Sequence, residues 1–139
     1  RGWDTPLNAG VLAGTQVACA VAALLGYFPG RKLGFGGNEA RGVMRDWARQ
    51  ARTGRYEPQG ASVDYERLLA ELEAPILAFS FEDDFLSPPR AVGNLLAKMR
   101  KARVTHVTLT GAALDHFQWV KKPEALVEKV REWLPSDNV

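Results

Sequence analysis

Apolar positions along this chain follow two regimes. Over residues 11–28 (VLAGTQVACAVAALLGYF) they run almost unbroken, and no charge occurs between Asp4 and Arg31. Further on they recur at intervals of three and four, and then as short runs bounded by prolines and acids. The first stretch predicts a helix that is buried or that covers a pocket. It is about the minimum length for a membrane span, and Arg1 ahead of it and the small residues Ala18-Cys19-Ala20 within it also outline a secretory signal. Much of its apolarity comes from Ala, however, and Gly14, Thr15 and Gln16 interrupt it, so insertion into lipid would be weak. Cys19 reads as a small buried hydrophobe.

Phe28-Pro29-Gly30 is a stop signal, and the glycine-rich 33–37 (LGFGG) predicts a turn. Asn38 is placed to cap a helix from Glu39 to about Arg52, with Val43, Met44, Trp47 and Ala51 along one side. Residues 53–61 form a loop. Ser62 or Asp64 opens a short helix carrying Leu68, Leu69 and Leu72, which Pro75 breaks.

After Pro75 the period changes. Residues 76–81 (ILAFSF) predict a strand buried on both faces. A helix over 89–102 has Val92, Leu95, Leu96 and Met99 on its apolar side, with Lys98, Arg100, Lys101 and Arg103 clustered at its C-terminal end. Residues 104–110 (VTHVTLT) are mostly β-branched and predict a second strand. A last helix starts at Pro123, turns Leu126, Val127, Val130 and Trp133 inward, and stops at Pro135. Strand, helix, strand, helix is the order of a βαβ unit, so neighbouring parallel strands are expected, in an α/β fold. The chain thus divides into a helical segment, 1–73, and an α/β segment, 74–139.

Composition narrows the function classes more than the fold. With 139 residues, 46% hydrophobic and one cysteine, the chain is neither disordered nor a disulfide scaffold. A net charge of +2 is too small to draw nucleic acid or membrane by bulk electrostatics. Arg41, Arg45, Arg49 and Arg52 form a basic stripe, the feature on which an alternative reading rests: a non-catalytic module that binds anionic ligands or nucleic acid. The bland reading is a solvated face that pairs with Asp46 or Glu39.

The chemistry concentrates at two strand ends, where parallel α/β sheets collect their reactive groups. Glu82-Asp83-Asp84-Phe85-Leu86-Ser87-Pro88 follows the first strand, and Asp115-His116-Phe117 follows the second. Asp84 and His116 are 32 residues apart, about one βαβ repeat, so they are able to lie side by side. A carboxylate on one imidazole nitrogen fixes the tautomer and leaves the other nitrogen to act as base. Asp83 is the competing acid. The four acids Glu82, Asp83, Asp84 and Asp115 lack the spacing of a cation-binding loop, so no metal is expected. His106, inside a strand, reads as a satisfied structural imidazole, and Phe117 and Trp119 as packing that holds the loop. Trp3, Trp47 and Trp133 read as core.

These residues resemble the α/β-hydrolase superfamily. Residues 75–88 (PILAFSFEDDFLSP) are similar to that family's strand and acid loop, with Asp84 matching the acid and Phe81 standing where Gly is usual. His116, in D-H-F, is similar to its histidine. Residues 25–30 (LGYFPG), 33–36 (LGFG) and 42–48 (GVMRDWA) look like the cap region of a bacterial group of predicted hydrolases. The resemblance implies the C-terminal part of an α/β-hydrolase sheet, a parallel βαβα preceded by a helical cap segment. It also implies a cytoplasmic serine hydrolase of esterase or lipase type acting on a small acyl or ester substrate, with no cofactor.

That family needs a serine on a G-x-S-x-G elbow ahead of the acid and the histidine. None is present. Ser62, Ser80, Ser87 and Ser136 lack the flanking glycines. The expectation is therefore a portion of a hydrolase, inactive alone, that begins at a processed or cut end. An open sheet edge would be covered by the missing half of the fold or by a second copy, with neither nucleic acid nor a membrane span involved.

Overall fold

A computed structural model describes residues 2, 7–34, 37–111 and 114–134. The protein is a mixed α/β chain. Its elements are α1 (Leu7–Leu25), β1 (Tyr27–Pro29), a 3-10 turn (Gly30–Leu33), β2 (Asn38–Ala40), α2 (Arg41–Thr53) and α3 (Tyr65–Glu71). Then come β3 (Pro75–Phe81), α4 (Pro89–Leu96), β4 (Arg103–Leu109), a second 3-10 turn (Trp119–Lys121) and α5 (Glu124–Trp133). The chain forms two compact units that meet in sequence at Leu68 and Leu69, within α3.

In the first unit, α1 ends at Leu25, three residues before the end of the apolar run at Phe28, because Gly26 adopts φ +82°, a left-handed conformation that turns the chain out of the helix. Residues 27–29 and 38–40, expected as a helix stop and a cap, are instead two short antiparallel strands, with Tyr27 opposite Ala40 and Pro29 opposite Asn38. Asn38 therefore caps nothing. Pairing across the ladder satisfies backbone that a helical turn would otherwise have used, and α2 starts two residues later than expected, after an extended Ala40.

The core of this unit is Ala18, Ala22, Phe28 and Met44, with Val21 packed against it, and Ala48 is also buried. Small side chains at 18, 22 and 48 let two helix backbones approach closely. The expectation of a buried α1 holds for one stripe only. Thr15, Ala18 and Ala22 are buried, while Val17, Leu25 and above all Leu24, at 86%, are exposed. The helix is long and apolar enough to cross a membrane, and it also carries a polar clasp. Thr15 Oγ1 donates to Leu12 O (2.7 Å), and Gln16 Nε2 donates to Thr15 Oγ1 (2.9 Å) and to Ala48 O (3.1 Å) on α2. Arg52 donates to the Gln16 carboxamide oxygen. The residues that break the apolar run are thus the ones that tie α1 to α2.

On α2 the buried residues are Met44 and Ala48, four apart, whereas Val43 points to solvent. At α3, Asp64 is the residue that caps: its Oδ1 accepts the Arg67 N–H (3.0 Å).

The second unit is built on β3 and β4, which pair in parallel from Pro75 with Arg103 to Phe81 with Leu109. Side chains alternate across the sheet. Leu77, Phe79 and Phe81 share one face with Val107 and Leu109, and Ala78 and Ser80 share the other with His106 and Thr108. α4 packs against both strands and α5 against β3. The expectation that β3 is buried on both faces is corrected: only Ser80 and Phe81 are buried, and most of β4 is exposed. Among the described residues these strands pair only with each other, and a two-stranded sheet cannot shield itself. α4 ends at Leu96, short of the expected 102, because the following N–H groups turn to carbonyls three residues back, as in Lys98 to Leu95 and Met99 to Leu96. Pro135, expected to end the last helix, lies outside the described residues.

Candidate active site

The C-terminal end of β3 leads straight into a turn that Asp84 organises. Glu82 N–H extends the ladder to Leu109 O (3.0 Å), and Asp84 N–H bonds back to Phe81 O (3.2 Å). The Asp84 side chain then substitutes for backbone: Oδ1 accepts the N–H groups of Leu86 (2.9 Å) and Ser87 (3.0 Å). With one oxygen so held, the carboxylate is fixed in orientation and only 4% exposed.

At the neighbouring strand end, β4 runs out at Leu109 and Gly111 takes φ +137°, a conformation L side chains rarely adopt. Past it, Asp115 Oδ1 accepts the N–H groups of Phe117 and Gln118, both at 2.8 Å. Those two bonds hold the Asp115 carboxyl below the usual carboxylate range. The tight turn they close presents His116 to Asp84.

His116 Nδ1 lies 3.1 Å from Asp84 Oδ2. A carboxylate only accepts, so Nδ1 is the donor and Nε2 is left with its lone pair in the neutral ring. The ring is half exposed while its partner is buried. Phe117 stands edge-on to it, with centroids 5.2 Å apart and planes at 82°. The arrangement can hold one tautomer, accept a proton at Nε2, and stabilise the resulting imidazolium with a desolvated anion.

Of the residues singled out from sequence, Asp84 and His116 come together, and Asp83, the competing acid, is exposed. The turn chemistry explains the choice, since Asp84 lies at the position whose side chain reaches the N–H groups two and three residues on. Ser80 and His106 also meet, on the sheet face itself: Ser80 Oγ lies 2.9 Å from His106 Nε2 and 3.0 Å from Thr108 Oγ1. Ser80 is 2% exposed whereas His106 and Thr108 face solvent, so this is a part-buried polar cross-link between strands, in keeping with a satisfied imidazole at 106. Phe117, expected to pack, is exposed, as is Phe85. Trp47 is only partly covered, and Trp133 lines a shallow groove with Pro75, Arg103, Val104 and Thr105 at the opposite ends of the strands. Trp3 and Ser136 lie outside the described residues.

In the basic stripe, Arg49 donates to Glu57 O (2.6 Å) and sits 4.0 Å from Asp46, and Arg52 is engaged by Gln16. Two of the four guanidinium groups thus serve the fold. Among the described residues no three His, Cys, Asp or Glu side chains gather as a metal site. Reading the sequence missed two contributors, Gly111 and the edge contact of Phe117. A glycine just after a β-branched run was the available signal for the first. No family model, no curated protein and no solved structure matches this chain significantly.

Proposed function

We propose that the chain carries the base and the orienting acid of a serine hydrolase of the α/β-hydrolase type. The observation that carries this reading is the 3.1 Å contact between His116 Nδ1 and buried Asp84 Oδ2, joining the ends of two adjacent parallel strands. A nucleophile outside these 139 residues, on a G-x-S-x-G elbow, completes the site. Its hydroxyl attacks an ester carbonyl while His116 Nε2 takes the proton. The imidazolium, held by Asp84, returns that proton to the leaving alcohol. Water then enters by the same path: Nε2 removes its proton as it attacks the acyl-enzyme, and the proton goes back to the serine. The exposed Phe85 and Phe117 suit an apolar acyl group beside the imidazole.

On this reading the residues from β3 onward form the C-terminal βαβα of an α/β-hydrolase sheet, in keeping with the order β3, α4, β4, α5, and the first unit is a cap. The missing part of the sheet or a second copy covers the open edge.

The decisive experiment compares this chain with the same chain extended upstream, using p-nitrophenyl esters and fluorophosphonate labelling. The 139-residue chain is expected to be inert and unlabelled. The extended protein is expected to turn over ester and to label at a serine upstream of Arg1. An upstream coding sequence without the elbow, or an extended protein that has it and does neither, overturns the proposal.

A further inference from the structure

We propose that the β1–β2 end of the first unit is a docking surface for an anionic lipid bilayer. Antiparallel pairing of β1 with β2 places the C-terminal end of α1 beside the N-terminal end of α2, with Tyr27 opposite Ala40 and Arg41 next along the chain. The 3-10 turn follows within one three-residue strand length. This end of the unit gathers five large apolar side chains that stand in solvent: Leu24, Leu25, Tyr27, Leu33 and Val43. Interleaved with them are the exposed cations Arg31, Lys32, Arg41 and Arg45, against one carboxylate, Glu39, over residues 24–45.

The combination selects the partner. Cations alone would suit any polyanion, but four of the five apolar side chains are Leu or Val, which offer no stacking surface to bases and leave Tyr27 as a single ring, whereas all five suit the boundary between headgroups and acyl chains. Cations at the same level meet the negative potential of acidic headgroups. Contact from one side fits better than insertion, because Gln16 and the buried Thr15, Ala18 and Ala22 bind α1 to α2, and a spanning helix would have to give up that clasp. Phe28, buried beneath the strand pair, holds the surface in place. The inference does not depend on His116 being a base.

The test is co-sedimentation of the protein with phosphatidylcholine vesicles, with and without phosphatidylglycerol, at low and at molar salt. Binding is expected to be roughly tenfold or more stronger with the anionic lipid, and to be lost at high salt. The double variants Arg31→Glu with Lys32→Glu, and Leu24→Ser with Leu33→Ser, are each expected to weaken it about tenfold with unchanged circular dichroism. Arg100→Glu, an exposed charge reversal in the other unit, is the control and leaves binding unchanged. Equal affinity for neutral and anionic vesicles, indifference to the leucine substitutions, retention through molar salt, or binding to polyuridylate without binding to vesicles would each overturn the proposal.

Discussion

At the scale of single residues, the geometry around His116 makes separable demands. Asp84 fixes the tautomer, so replacing it with Asn, which can present an N–H where an acceptor is needed, is expected to lower kcat of a complete enzyme by roughly 10³- to 10⁴-fold with little change in KM. Asp83→Asn, one residue away and exposed, should cost less than about twofold by the same reasoning. A fall of equal size for both variants would remove Asp84 from its special position. Asp115 gives a pH prediction. Its folded pKa is depressed by the N–H groups of Phe117 and Gln118, so the stability it lends is present above the ordinary carboxyl pKa of about 3.9 and is lost as pH falls through the lower folded value. Carbon-detected titration should place its midpoint below that of an unstructured Asp. Asp84 was legible in the sequence only as one of two adjacent acids, and the side-chain turns at Asp84 and Asp115 that settle the geometry came from the structure. The contact of Phe117 with the imidazole was not legible, since nothing in a D-H-F string says which way the aromatic turns.

At the scale of elements, period separated helix from strand, but burial followed other rules. Val43 and Met44 were placed on one apolar side of α2, and only Met44 faces Ala18, Ala22 and Phe28. Met44→Ala is therefore expected to destabilise the first unit by about 2–4 kcal/mol, and Val43→Ala by less than about 0.5 kcal/mol, in urea unfolding monitored by circular dichroism. Near-equal losses would refute the packing described for this helix pair. The β1–β2 ladder was missed because three-residue strands have too few positions to show a period, and because the Gly- and Pro-rich sequence around them carries the signature of a turn. Gly111 belongs to this scale as well. Its φ of +137° starts the loop that delivers His116, so Gly111→Val should displace the imidazole from Asp84, read as a changed ¹⁵N signature of the ring, while the α1–α2 pair keeps its stability.

At the scale of the whole molecule, two units of different character share the chain: a helix pair closed by a small ladder, and a parallel strand pair flanked by helices. In the second unit the ladder leaves unpaired strand edges among the described residues, so self-association that rises with concentration is expected in size-exclusion chromatography with light scattering. A mass that stays monomeric over a wide concentration range would contradict it. By itself the sequence determined the alternation of elements in the second unit and narrowed the chemistry to His116 and two adjacent acids, Asp83 and Asp84, because period, proline breaks and side-chain chemistry are properties of short segments; which acid meets the imidazole was decided by the turn. Tertiary structure alone decided which face of α1 is covered, that Thr15 and Gln16 are a clasp rather than flaws in an apolar run, and that β4 lies largely in solvent. Each of those depends on what stands opposite a residue, and that is set by parts of the chain distant in sequence.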